Sequence, residues 1–146
     1  MADEPTSKPE PYDNVEDLEL LGSNTTKYEY DEPSHTILET FPNRHPNIDY
    51  FVELRSDEFT SLCPKTGQPD FGSIYVKYVP DQECIESKSF KLYLFAFRNF
   101  QSFMESMTSK ILLELVLACK PKRMTVVGSF SIRGGVKIDV TSEYSK

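Results

Sequence analysis

Residues 100–119 place Phe100, Phe103, Met104, Met107, Ile111, Leu112 and Leu115 at steps of three and four, with Pro121 just beyond. That spacing predicts an amphipathic helix followed by a stop signal. Stretches of a different kind lie on both sides. Residues 50–54 and 73–79 are rich in β-branched and aromatic side chains and are bounded by Pro, Asn, Asp or Gly, which predicts strands. Residues 124–130 and 136–140 read the same way, joined through Arg133-Gly134-Gly135, whose glycines suit a hairpin turn. Residues 89–97 are apolar almost throughout and fit neither period; Ser87 as a candidate N-cap tips them toward helix. The order is strand, strand, helical middle, strand, strand. It implies an α+β domain with a four-stranded antiparallel sheet and its helices on one face. Aromatic residues fall on both sides of these strands, so the second face is expected to need cover, and pairing with copies of the same chain would supply it.

The chain has 146 residues and is 38% hydrophobic, enough for one domain with a core of its own and too apolar for wholesale disorder. Its net charge of -7 is unevenly spread. The first 32 residues hold ten acidic groups and two lysines, which leaves 13 acidic and 14 basic groups in the rest, a balance of +1. Residues 1–33 are therefore read as an acidic, flexible leader with one apolar patch at 18–21, and residues 34–146 as the domain. A near-neutral body without a basic stripe gives no grip on a polyanion, so no direct nucleic-acid partner is expected. No apolar run approaches the ~20 residues of a membrane span, and the acidic start lacks the features of a signal peptide. Cys63, Cys84 and Cys119 are an odd, widely spaced set with no C-x-x-C pair, which argues against a disulfide framework and for a reducing compartment. A cytoplasmic protein with no membrane partner is the expectation.

Metal chemistry is not expected, because His35, His45 and the cysteines nowhere fall at ligand spacing. Cys63 stands apart from the other two thiols. It sits in a loop, residues 62–70, that Pro64, Gly67 and Pro69 exclude from regular structure; Lys65 is two residues away and Asp70 seven. A nearby ammonium would favour the nucleophilic thiolate. On the residues alone, packing as a small hydrophobe is the competing reading of Cys63. Ser87, Lys88 and Lys91 lie near a helix start, where two ammonium groups and hydroxyls could seat a phosphate or simply form a solvated turn. Glu105 falls between Leu112 and Val116 around the helix axis, so it is expected to border the apolar face and to need a donor partner.

Taken together, Thr40-Phe41-Pro42-Asn43, Glu58-Phe59-Thr60-Ser61-Leu62-Cys63-Pro64, Gly67-Gln68-Pro69-Asp70-Phe71, residues 86–93, Phe97-Arg98-Asn99 and Arg133-Gly134-Gly135 resemble one family closely. These are the NADPH-dependent 7-cyano-7-deazaguanine reductases of queuosine biosynthesis, and the resemblance runs from about Leu38 to Val140. It implies a tunnelling fold (T-fold), with subunits assembling into a barrel and deazapurine sites between neighbours, hence a homo-oligomer. It implies a nitrile reductase that uses two NADPH per nitrile. Cys63 would be the nucleophile that forms a thioimide and Asp70 the proton donor. Ile85, Glu86, Ser87, Met104 and Glu105 would face the small deazapurine substrate, and Ser87, Lys88 and Lys91 would face NADPH.

One position departs from the family pattern: a histidine commonly precedes the helix glutamate, and here Met104 does, a side chain that cannot hydrogen-bond as imidazole can. Two rival functions remain. An amidinotransferase would share Cys63 and Asp70, with ammonia attacking the thioimide, but such relatives lack the 86–93 segment. A noncatalytic purine-binding assembly subunit would have no use for Cys63 and Asp70.

Overall fold

The computed structural model describes residues 27–146, so the apolar patch expected at 18–21 and most of the acidic leader lie outside the described residues. A 3-10 turn at His35–Ile37 opens the fold. Strands β1 (Thr40–Pro42), β2 (Val52–Leu62), β3 (Pro69–Val79) and β4 (Glu83–Ile85) follow, then helices α1 (Ser87–Phe95) and α2 (Met104–Cys119), then β5 (Arg123–Phe130) and β6 (Asp139–Ser145). The main sheet is antiparallel in the order β2-β3-β5-β6, and β1 and β4 form a separate two-stranded sheet. This is the α+β architecture expected. Tyr28 and Tyr30 stack edge-on against Phe95, at 4.8 and 5.1 Å between centroids, so the chain engages the fold before residue 34.

Both helices pack on one face of the sheet. Met107, Ile111 and Leu115 from α2, Tyr93 from α1 and Phe97 just beyond it meet Ile74, Val76, Met124, Val126 and Phe130 from the strands, all essentially inaccessible. Burying side chains of this size stabilises by about 1.5–3 kcal/mol each. The Tyr93 hydroxyl donates to Glu114 at 2.5 Å, and Lys110 holds the same carboxylate at 2.9 Å, which ties α1 to α2. At Gly128, α2 comes so close to β5 that an added Cβ would lie 2.5 Å from Thr108 Oγ1. Lys120 closes α2 in the left-handed conformation, and Pro121 prevents its continuation.

The opposite face of the sheet interleaves charged side chains with its aromatic ones. It carries Arg55 paired with Asp57 at 2.8 Å, Lys77 near Glu53 at 3.9 Å, and Lys137 paired with Asp139 at 2.8 Å. Tyr75 and Phe51 lie under Arg55 and Lys77 respectively, so their ring faces meet cations. Charged residues on alternate positions make this face compatible with water.

Several boundaries differ from the sequence reading. β2 and β3 are eleven residues each, reaching Leu62 and Pro69, so the irregular 62–70 segment shrinks to a turn over 63–68. The added length was hidden because β2 turns its charges outward and breaks its alternation at a bulge between Ser56 and Phe59. α2 begins at Met104 and not at Phe100; residues 100–102 run beside β2 instead, with Leu62 N–H donating to Phe100 O at 3.0 Å and Ser102 N–H to Leu62 O at 3.1 Å. The last strand is Asp139–Ser145, not 136–140. Its Thr, Ser, Glu and Tyr residues carry little apolar contrast, whereas Val136 lies in the turn that precedes it. Ser87 is not the cap of α1. Glu86 is, accepting from Lys88 N–H at 2.8 Å and Ser89 N–H at 2.7 Å.

Candidate active site

The β2–β3 connection is a short, self-bonded turn. Cys63 N–H donates to Gln68 O at 2.9 Å, and Gly67 N–H donates to Cys63 O at 3.0 Å. Gly67 has φ of 69°, a left-handed value that favours glycine. The turn wraps its own donors around the thiol. The Thr66 hydroxyl, then the backbone N–H groups of Thr66 and Lys65, hydrogen-bond the sulfur and hold the Cys63 thiol below its ordinary range, against partial burial and the charge of Asp70. The Lys65 side chain is exposed and is not among these causes, so the ammonium expected to promote the thiolate is replaced by backbone and hydroxyl donors. Burial has the reverse effect on Cys119, whose thiol is pushed up to about 12.

Asp70 follows on β3, only 4% exposed. Arg133 Nη2 lies 2.6 Å from its Oδ1 but gives its hydrogen bond to Pro69 O at 2.5 Å, so the contact is an ion pair without an aligned N–H. The hairpin that presents Arg133 turns at Gly134 and Gly135, with φ of 54° and 77°, a left-handed pair suited to glycine. A nucleophile with three donors at its sulfur and a buried carboxyl therefore share one end of one hairpin.

The remaining sequence-derived residues divide into two groups. Met104 and Glu105 open α2, close behind the Ser102 link to Leu62, and so belong to the Cys63 end. Glu105 is exposed at the first turn of α2, not on the apolar face the helix angle implied. Met104 is half-buried and packs against the core. Ile85, Glu86, Ser87, Lys88 and Lys91 belong to the other end. Ile85 N–H donates to the Tyr78 hydroxyl at 2.9 Å, and the Ile85 side chain is spent on the core. Tyr78 is eight residues from Asp70 along β3, about 26 Å of strand. Within one subunit, Glu86 is thus remote from Cys63.

Glu86 itself is held below the usual carboxylate range by the Lys88 and Ser89 N–H groups it caps. Ser87 and Lys91 line a cavity of about 320 Å³ between α1 and β2, together with Arg55, Arg98, Glu58 and Phe95. Lys88 is exposed and outside that lining. Arg98 also borders a groove of about 640 Å³ that continues past Phe71 and Ile132. It lies 5.7 Å over the Phe95 ring and makes no ion pair among the described residues. Thr66, Arg98, Arg55 and the pairing of Arg133 with Asp70 were not evident from sequence. Arg98 stood inside a quoted motif, but nothing in its neighbours showed that it would face a cavity.

The family model described as QueF-like protein matches residues 69–146, more than half of the chain. Proteins of Bacillus cytotoxicus and Bacillus cereus, each described as NADPH-dependent 7-cyano-7-deazaguanine reductase, are 49% identical over 134 residues, spanning 92% of this chain and 81% of theirs. The chain belongs to the QueF-like family. A solved QueF-like archaeosine synthase in its apo form superposes with a TM-score of 0.62 at 23% identity, over 66% of this chain and 94% of its own. The tunnelling fold of the QueF-like proteins is thereby shared. No helix among the described residues is long and apolar enough to cross a membrane.

Proposed function

We propose that this chain is an NADPH-dependent reductase that converts the nitrile of 7-cyano-7-deazaguanine to the aminomethyl group, in queuosine biosynthesis. The observation that carries the reading is the junction of Cys63, its thiolate favoured by three donors, with the buried carboxyl of Asp70. The relatives that are 49% identical bear the name of this activity.

Cys63 Sγ attacks the nitrile carbon. The carbon–sulfur bond forms as one π bond of the nitrile opens toward nitrogen, and Asp70, having taken the Cys63 thiol proton, delivers that proton to the nitrogen. Cys63 thus holds the carbon as a thioimide, more open to reduction than a free nitrile. Two NADPH molecules, bound in turn, would each supply one hydride of the four-electron change. The cavity between α1 and β2 fits such a cofactor: Lys91 and Arg98 offer cationic donors to phosphates, and Phe95 offers an aromatic face. Ser87 and Lys91 would hold the cofactor there, with Lys88 at its rim.

The distance between the two groups of residues supports a site built from two subunits. Glu86 of one copy would meet Cys63, Asp70 and Glu105 of another, in a homo-oligomer. β2 and β6 are the edge strands of the main sheet among the described residues and, apart from the Leu62 end of β2, offer the surfaces for that assembly. Both oxygens of Glu86 keep a lone pair beyond their cap hydrogen bonds for a purine N–H. A small-molecule substrate, a location in the cytoplasm and no direct nucleic-acid or membrane partner complete the reading.

Counting NADPH oxidised against nitrile consumed tests the reaction class. Two equivalents per nitrile, with a primary amine as product, is the expected result. Consumption of ammonia with no oxidation of NADPH would replace reductase by amidinotransferase.

A further inference from the structure

Two buried side-chain oxygens among the described residues have no hydrogen-bond partner: Ser61 Oγ and Asp70 Oδ1. They belong to residues directly opposed across the β2–β3 ladder, one step inside the Leu62–Pro69 pair. Opposed residues carry their side chains on the same face, with Cβ atoms about 4.5–5.5 Å apart. A serine hydroxyl turning about one bond can therefore reach a carboxyl oxygen across the ladder. Ser61 is fully buried and Asp70 is 4% exposed, so bulk water does not serve either of them.

Neighbouring groups leave the pairing open. Arg133 Nη2 lies 2.6 Å from Asp70 Oδ1 and aligns one of its two N–H groups with the Pro69 carbonyl, which leaves Oδ1 a lone pair for a further donor. The backbone of Leu62 is engaged with residues 100–102, which fixes the strand end that carries Ser61.

We infer that Ser61 is the positioning residue for Asp70, donating its hydroxyl to Oδ1 as the carboxyl gives up its proton. This rests on the reading of Asp70 as the acid of the proposed reaction. In that step the sulfur–carbon bond forms, a nitrile π bond opens, and the proton passes from Asp70 to nitrogen, leaving a carboxylate. Ser61 keeps its own proton and turns it toward the new charge. A donor held in place and unspent before the charge appears lowers the barrier more than one already bonded in the ground state.

The test follows thioimide formation by absorbance in a single turnover without NADPH, over a range of 7-cyano-7-deazaguanine concentrations, for wild type and Ser61→Ala. The saturating rate constant is expected to fall about tenfold, the usual scale of a hydrogen bond to a charged group. The half-saturating concentration should stay unchanged. The Tm of Ser61→Ala should equal or exceed that of wild type, because the change removes an unpaired buried hydroxyl. An unchanged rate constant, or a fall in rate accompanied by a lower Tm, overturns the inference. Absence of a thioimide in wild type would overturn the proposed reaction and this inference together, whereas a thioimide formed equally well by both proteins overturns this inference alone.

Discussion

Glu86 and Cys63 stand at opposite ends of the β2–β3 hairpin, and a test of subunit complementation exploits that separation. Cys63→Ala removes the nucleophile, and Glu86→Gln removes the carboxylate proposed to hold the substrate. Each protein alone should be nearly inactive. With some 26 Å of strand between Tyr78, beside Ile85, and Asp70, no single subunit can join the two groups at one small substrate. If each site draws Cys63 from one copy and Glu86 from its neighbour, co-expression of the two variants in equal amounts rebuilds intact sites. Random pairing gives a nucleophile-bearing subunit at half of the positions and an intact glutamate at half of the facing ones, so about a quarter of wild-type turnover should return. The assay is NADPH oxidation per mole of oligomer, with each variant purified alone as control. No recovery in mixed oligomers would refute the shared site. Full activity of Glu86→Gln alone would reduce Glu86 to the helix cap it makes with Lys88 and Ser89.

Three further outcomes follow from the same geometry. Thr66→Val removes the largest influence lowering the Cys63 thiol, so the pH dependence of thioimide formation should move to higher pH, with the rate falling at neutral pH and recovering under alkaline conditions. Arg98→Ala should weaken NADPH binding roughly tenfold in a fluorescence titration while leaving thioimide formation without NADPH intact, and loss of both would remove Arg98 from the cofactor cavity. Gly128→Ala forces a Cβ to 2.5 Å from Thr108 Oγ1 and 2.8 Å from the Phe130 ring, which should cost about 1–3 kcal/mol. In a thermal melt that is a drop of roughly 3–12 °C for a domain of this size.

The chemistry was legible where it is local. Cys63 and Asp70 sit seven residues apart across a turn that Pro64, Gly67 and Pro69 announce, so sequence alone could bring them together. The α2 helix was equally plain, because Met107, Ile111 and Leu115 repeat at the helical period and all three are buried. What sequence concealed depends on partners set by the fold. Thr66 matters because the turn folds its hydroxyl back onto the thiol. Ser61 matters because the register opposes it to Asp70. Glu105 was misplaced because angle around a helix does not say which residues at the margin of its apolar face find a neighbour. The bounds of β6 were misplaced because an edge strand with one solvated face has little apolar contrast to display.

The central claim is that Cys63 bonds covalently to the nitrile carbon. Intact-mass measurement of the protein mixed with 7-cyano-7-deazaguanine, in the absence of NADPH, tests it most directly. A mass increase equal to one whole substrate molecule per chain, lost in Cys63→Ala and retained in Cys84→Ala and Cys119→Ala, is the predicted result. No increase in the wild-type protein, or an increase that survives Cys63→Ala, would contradict it.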